Sequence, residues 1–270
     1  MVAAILCTWY AANSFQNVMS LKSKLRAALW HFLITAALGA LIAALIFLIW
    51  FPSPFGTMMD GGKLFALVLG CDLVMGPLMS LVIYNQNKSR RELIVDYSII
   101  GALQLAALLY GVSVVAGYRP AYIAFTVDRF DVVSVGEFDP ADLKEATFKE
   151  YQHLPWFGPE LVVAIKPEDI KERNDAIFLA LGGKDISLRP KYYRPYSTRR
   201  NDIVKAIRPL SELFNKHPDV QVSVTKAIES HHLDLNSAGW LAVKHRRGFW
   251  IAIMDTKTTL PIEYLPIDPY

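Results

Sequence analysis

The sequence predicts a membrane-anchored α+β protein, with three transmembrane helices followed by a mixed α/β domain on the far side of the membrane. Three observations predict it. Apolar stretches of about 20 residues, the length a helix needs to cross a bilayer, occur three times before Arg119. Basic residues gather before the first stretch and between the second and third. After Arg119, charged residues recur every few positions to the end of the chain. The 270 residues suffice for one or two domains, and their 53% hydrophobic content averages two kinds of sequence joined end to end.

The chain opens with an uncharged run, Val2 to Phe15. It is too short for a span and has no basic front, as a signal peptide would. Met19-Ser20-Leu21-Lys22-Ser23-Lys24 reads as a more natural start, so residues 1–18 are read as a leader from a misassigned upstream start. N-terminal sequencing that recovered Val2 or Ala3 would overturn this. Residues 19–118 form the transmembrane region, with spans at about 29–51, 64–84 and 97–118. Ala27 to Met59 and Tyr97 to Tyr118 contain no Lys, Arg, Asp or Glu, and Leu64 to Tyr84 contains only Asp72. Trp30, Trp50, Tyr84, Tyr97 and Tyr118 stand near the span ends, where amphipathic rings favour the headgroup layer.

Lys22, Lys24 and Arg26 precede the first span, and Lys88, Arg90 and Arg91 separate the second from the third. The positive-inside rule puts those segments in the cytoplasm. Three crossings then carry residues 119–270 to the periplasm of a bacterial inner membrane. The first 118 residues hold 7 basic and 4 acidic side chains and the remainder 21 of each, so the net +3 is a topology signal. It does not point to nucleic acid. Cys7 and Cys71 both lie before the domain, which therefore folds without a disulfide.

Asp72 stands near the middle of the second span, where an ionised carboxylate costs about 2.5–3.5 kcal/mol on insertion scales. Gly76-Pro77 follows in the same helix and predicts a kink or local opening. Asp72, Gly76 and Pro77 are a candidate intramembrane contact. The alternatives are a polar contact with a partner helix, a proton-linked role, or a carboxyl bonded to His31, Ser80, Gln104 or Ser113 within the bundle.

In the domain, Tyr122–Val127 and Phe130–Val135 read as paired strands or one bulged strand. Asp139-Pro140 opens a helix to about Gln152, with Asp as N-cap. Leu161–Ile165 is a strand, and Pro167–Leu181 a helix ended by Gly182-Gly183. Ser197 caps a helix from Arg199 to about Lys216, stopped by Pro218. Trp240–Lys244, Phe249–Met254 and Pro261–Leu265 form a terminal meander.

The chemistry-bearing motifs are missing. There is no phosphate-binding loop, dinucleotide fingerprint, Cys-x-x-Cys, His-Glu-x-x-His or nucleophile elbow. His231-His232 with Asp234 is the nearest approach to a metal cluster, and adjacent helical residues point about 100° apart. No catalytic residue, metal ligand or cofactor is assigned. Between Arg189 and Arg200, basic and aromatic residues interleave as in single-strand binders. The compartment and the neutral domain argue instead for a solvated loop, or for an interface with a partner protein or anionic lipid through Tyr192, Tyr193, Arg194 and Tyr196.

The chain from about Met19 onward resembles the TfpX/TfpZ family of type IV pilin accessory proteins. The resemblance rests on Trp50-Phe51-Pro52-Ser53-Pro54-Phe55, on Gly70-Cys71-Asp72 with Gly76-Pro77-Leu78, on Arg119-Pro120-Ala121-Tyr122 and on Val127-Asp128-Arg129-Phe130. Met254-Asp255 and the closing Leu265-Pro266-Ile267-Asp268-Pro269 complete it. It implies a non-enzymatic inner-membrane protein that helps type IV pilins assemble, affecting piliation and twitching motility. The implied partners are pilin, pilus assembly proteins and the lipid bilayer. Asp72, Arg119, Asp128 and Arg129 match recurring positions, as structural or interface residues, with Arg129 placed to pair with Asp128 or Asp131. A membrane-anchored periplasmic sensor or ligand-binding protein is the alternative, and an enzyme the third class.

Overall fold

Helix α1, Val2–Leu45, passes into a π-helical turn at Ile46–Trp50, and the prolines at 52 and 54 prevent its continuation. The computed structural model describes residues 2–85 and 88–270; Met1 of the leader lies outside them. A short α2, Phe55–Met58, precedes α3, Gly61–Ile83, and α4, Arg90–Tyr118. Leu21–Trp50, Gly61–Ile83 and Arg90–Tyr118 are long and apolar enough to cross a membrane. The expected spans lie within these or end one residue beyond, at Phe51 and Tyr84, and the helices start earlier because their flanking turns are helical too. Helix α3 continues through Pro77. Leu69 and Val68 of α3 occupy the space that a methyl on Gly39 of α1 or Gly111 of α4 would need, so these glycines allow close helix approach.

The chain divides into two compact units, a helical one within residues 1–46 and 62–115 and a second comprising residues 47–61 and 116–270. The second is built on one mixed sheet. Its strands are β1 (Pro120–Thr126), β2 (Arg129–Ser134), β3 (Glu160–Ala164), β4 (Tyr193–Pro195), β5 (Arg208–Pro209), β6 (Ala238–His245), β7 (Gly248–Asp255) and β8 (Pro261–Leu265). The order is β4-β3-β1-β2-β6-β7-β8, with β5 on β6. β1 runs parallel to β3 and β2 parallel to β6; the other pairs are antiparallel.

The expected strand pair at Asp128-Arg129 is β1–β2, and the expected meander is β6–β7–β8, joined to the larger sheet through β2. Asp139 caps α5, accepting from the Ala141 N–H at 2.9 Å, but α5 stops at Lys144. It does not reach Gln152, because Ala146 and Tyr151 turn into the core around Tyr122 and Tyr193. Helix α6, Ile170–Leu181, has Asp169 as N-cap and ends at Gly182-Gly183. The helix expected from Arg199 to Lys216 is two, α7 (Arg200–Ala206) and α8 (Leu210–Lys216). Arg208-Pro209 interrupts it, since proline cannot donate the helical bond and the segment pairs instead with β6. Ser197 sits in a 3-10 turn and caps neither helix. Helix α9, Gln221–Ser230, follows Pro218, where the sequence reading placed no element.

Residues 47–61 belong to this unit by packing. Phe51, Phe55, Met58 and Met59 are buried, the Phe55 ring lies 5.3 Å edge-on to Tyr264, and Asp60 is ion-paired with Arg247 of the β6–β7 turn. The sequence reading assigned this segment to the transmembrane region.

Candidate functional site

In the helical unit a polar chain joins α1, α3 and α4. His31 Nδ1 stands 2.6 Å from Ser80 Oγ, and His31 Nε2 stands 2.8 Å from Gln104 Oε1. Gln104 Nε2 donates to the Asp72 carbonyl at 3.4 Å. All three bonds form at once when Ser80 donates to Nδ1 and Nε2–H donates to the amide oxygen. Gly76 makes room for the junction, because a methyl there would run into Gln104 Nε2 and stand 2.9 Å from His31 Nε2. His31, Ser80 and Gln104, named from sequence as partners for the Asp72 carboxyl, are thus brought together with one another. Gln104 reaches the Asp72 backbone, and Ser113 bonds instead to the Tyr110 carbonyl of its own helix.

Asp72 is 7% exposed and lines a cavity of ≈ 510 Å³ with Trp30, His31, Tyr97, Gln104 and Leu105. The Tyr97 hydroxyl is buried without a hydrogen-bond partner among the described residues. A mostly apolar cavity with a few inward polar groups can hold apolar side chains and orient one polar group among them.

In the second unit Arg119 is buried, with its guanidinium 5.8 Å from the Trp50 ring and 5.7 Å from Trp156. It also donates to the Pro155 carbonyl at 2.5 Å. Burial draws its pKa below the ordinary value. Arg129 lies 3.0 Å from Asp131, 3.6 Å from Asp128 and 3.7 Å from Asp185, while Asp128 also meets Arg208 at 3.6 Å. Burial raises the Asp131 carboxyl above its usual range even beside that arginine.

The interleaved segment is corrected by the structure. Tyr193 is 0% exposed, sits on β4 and donates to the Ser187 carbonyl; its ring packs edge-to-face on Tyr122 at 5.2 Å and Tyr151 at 5.7 Å. Tyr192 is also buried, and Tyr196 stacks on Phe130 while donating to the Thr259 carbonyl at 2.5 Å. Arg194 covers the Phe148 ring at 5.4 Å. Tyr192 and Tyr193 are therefore core residues and not parts of a solvated loop, and Tyr196 is half-buried against Phe130. Trp156 and Phe157 were missed, although two large aromatics between Pro155 and Gly158 in a loop are a readable signal. Among the described residues no group of three His, Cys, Asp or Glu side chains could hold a metal ion, and His231 lies 3.3 Å from Glu263.

Comparison with known proteins bears on both units. The family model described as fimbrial assembly protein FimB matches residues 19–60. The serogroup I fimbrial assembly protein of Dichelobacter nodosus is 34% identical over 227 residues, covering 83% of this chain and 88% of that protein. The chain belongs to the family of fimbrial assembly proteins. The serogroup E1 fimbrial assembly protein from the same organism is 32% identical over the same share of each chain. A third, for serogroups C1 and C2, is 36% identical over 116 residues, 43% of this chain and 88% of its own length. No solved structure matches. The FimB match takes in His31 and Trp50, one from the polar chain of the helical unit and one from beside Arg119.

Proposed function

We propose that this fimbrial assembly protein is a non-catalytic accessory protein of type IV pilin assembly, of the TfpX/TfpZ kind, anchored in the bacterial inner membrane. Its N-terminus is cytoplasmic and its sheet domain periplasmic, and its partners are pilin, the pilus assembly machinery and the surrounding bilayer. The orientation is supported by the basic residues at 22–26 and 88–91. It is supported also by residues 47–61 packing with 116–270. A loop after the first crossing and a domain after the third share one side of a membrane.

The observation that carries the reading is the cavity beside Asp72. A pilin waits in the membrane with an apolar helix in the bilayer and a folded head outside. A partner for it needs polar groups at membrane depth that fix register and an apolar surround that accepts side chains. His31, Asp72, Tyr97 and Gln104 supply the first, and Trp30, Leu105 and Leu108 the second. Piliation and twitching then depend on this protein without any reaction being catalysed.

The test is deletion of the gene, with surface pili counted alongside total cellular pilin. Loss of pili and of twitching with pilin retained is the expected result. A photo-crosslinker at Leu105, on the cavity wall, is expected to capture pilin. Unchanged piliation and twitching would overturn the proposal.

A further inference from the structure

Trp156 and Phe157 are 69% and 76% exposed, although both are large aromatics in a well-tied loop. The Gly158 N–H donates to the Ile49 carbonyl at 2.9 Å. Gly158 adopts φ +47, a conformation that favours glycine, and packs near Pro52. On the other side Arg119 holds the Pro155 carbonyl, and its guanidinium is 5.8 Å from the Trp50 ring centre and 5.7 Å from that of Trp156. Ile49 and Trp50 form the last turn of the first apolar helix, and Arg119 is the first residue after the third. The loop is therefore fastened to the ends of two helices and presents its aromatic tip at their level. The β6–β7 turn reaches the same level, with the Arg246 guanidinium 4.7 Å from the ring of Tyr118, the last residue of α4.

We infer that Trp156 and Phe157 insert into the outer headgroup and acyl boundary of the membrane that holds the helices, so that the sheet domain rests on the lipid. This rests on the membrane-anchored reading above. Continuity with the helix ends selects lipid as the occupant. An indole and a phenyl at the point where two spans leave the bilayer meet the interfacial layer that aromatic side chains favour. Exposed to water they would leave apolar area uncovered.

The experiment uses the full chain with Cys7 and Cys71 replaced by serine, reconstituted in phosphatidylethanolamine and phosphatidylglycerol vesicles. Phe157→Cys carries a nitroxide, and its collision rates with oxygen and with a water-soluble nickel chelate are compared. Leu41→Cys and Leu109→Cys, on exposed faces of α1 and α4, report the membrane itself, and Val222→Cys on α9 reports water. Collisions at position 157 are expected to favour oxygen several-fold over the pattern at Val222. A water-like label at 157 with lipid-like labels at 41 and 109 would overturn the inference and leave the anchor intact. Water-like labels at 41 and 109 would overturn the anchor itself. A label at 157 shielded from both reagents would mean that protein covers the loop, and would also overturn it.

Discussion

His31 in α1 and Ser80 in α3 are 49 positions apart in sequence and 2.6 Å apart in space, Nδ1 to Oγ. The same imidazole reaches Gln104 in α4 through its other nitrogen at 2.8 Å. One side chain thereby ties together three helices whose remaining surfaces are nearly all apolar. In a lipid-like medium apolar side chains give little preference for one register over another, and packing and such hydrogen bonds supply it.

His31→Ala should therefore loosen the helical unit. Each interhelical hydrogen bond is worth about 0.6 kcal/mol and at most about 1.7 kcal/mol. The loss of two bonds predicts about 1–2 kcal/mol, read as a lower thermal midpoint of the full chain in detergent. Gly76→Ala should cost a similar amount, about 1–2 kcal/mol, because the methyl displaces the Gln104 amide and presses on His31, weakening the bonds between them. A Gly76→Ala protein as stable as wild type would show that the junction is not tightly packed.

Tyr193→Ala should destabilise the sheet domain by about 3–5 kcal/mol, the range for a large ring removed from a core. Tyr193→Phe keeps the ring and loses only the bond to the Ser187 carbonyl, about 1 kcal/mol. Denaturant melts of the full chain, followed by domain tryptophan fluorescence, separate the two. Equal midpoints for both variants would contradict the packing of the tyrosine cluster.

What was legible in the sequence depended on whether the signal was local. Asp139 and Asp169 mark helix starts by their own caps, Gly182-Gly183 marks an end, and uncharged runs mark the apolar helices. Pro209 was equally visible. Its meaning depended on β6, some 30 residues later, offering an edge to Arg208-Pro209. The tyrosines between 192 and 196 misled for a similar reason. Tyr and Arg suit an interface and a core–surface boundary equally, and only the pairing of β4 with β3 separates them. In the candidate site, His31, Asp72 and Gln104 were nameable as polar residues in apolar runs, but which atoms meet was not. A helix's own periodicity says nothing of its rotation against its neighbours.

Asp255 gives a pH dependence. Burial alone would raise its carboxyl, but the Lys257 N–H at 2.8 Å and the Thr258 hydroxyl at 2.8 Å stabilise the charged form, and its pKa falls below the ordinary 3.8. A carboxyl depressed on folding stabilises the fold fully above its unfolded value. That stabilisation is lost as pH falls through the folded value, so the window lies below about pH 4. Asp255→Asn should lower stability at pH 7 by about 1–2 kcal/mol and flatten the acid limb of the stability profile. An acid limb identical to wild type would assign that loss to other carboxylates.

Arg119 makes the most demanding prediction, because its charge, shape and burial matter together. A planar guanidinium can lie near two indoles and still direct an N–H at the Pro155 carbonyl. A lysine ammonium is a compact point charge that can satisfy the carbonyl but does not fill the space between the rings. Arg119→Lys should release the Trp156 loop while leaving the sheet folded, at a cost of about 0.5–1 kcal/mol for cation–π contacts, one of them to a largely exposed indole. Hydrogen exchange at the Gly158 amide, bonded to Ile49, should quicken about two- to fivefold, while the β6–β7 amides keep their protection. Arg119→Met restores apolar filling between the rings without the bond to Pro155. If its Gly158 amide exchanges as slowly as wild type, stacking volume alone holds the loop. If both variants exchange at the wild-type rate, the loop is held by Pro52 and Ile49, and the guanidinium contributes nothing measurable to it.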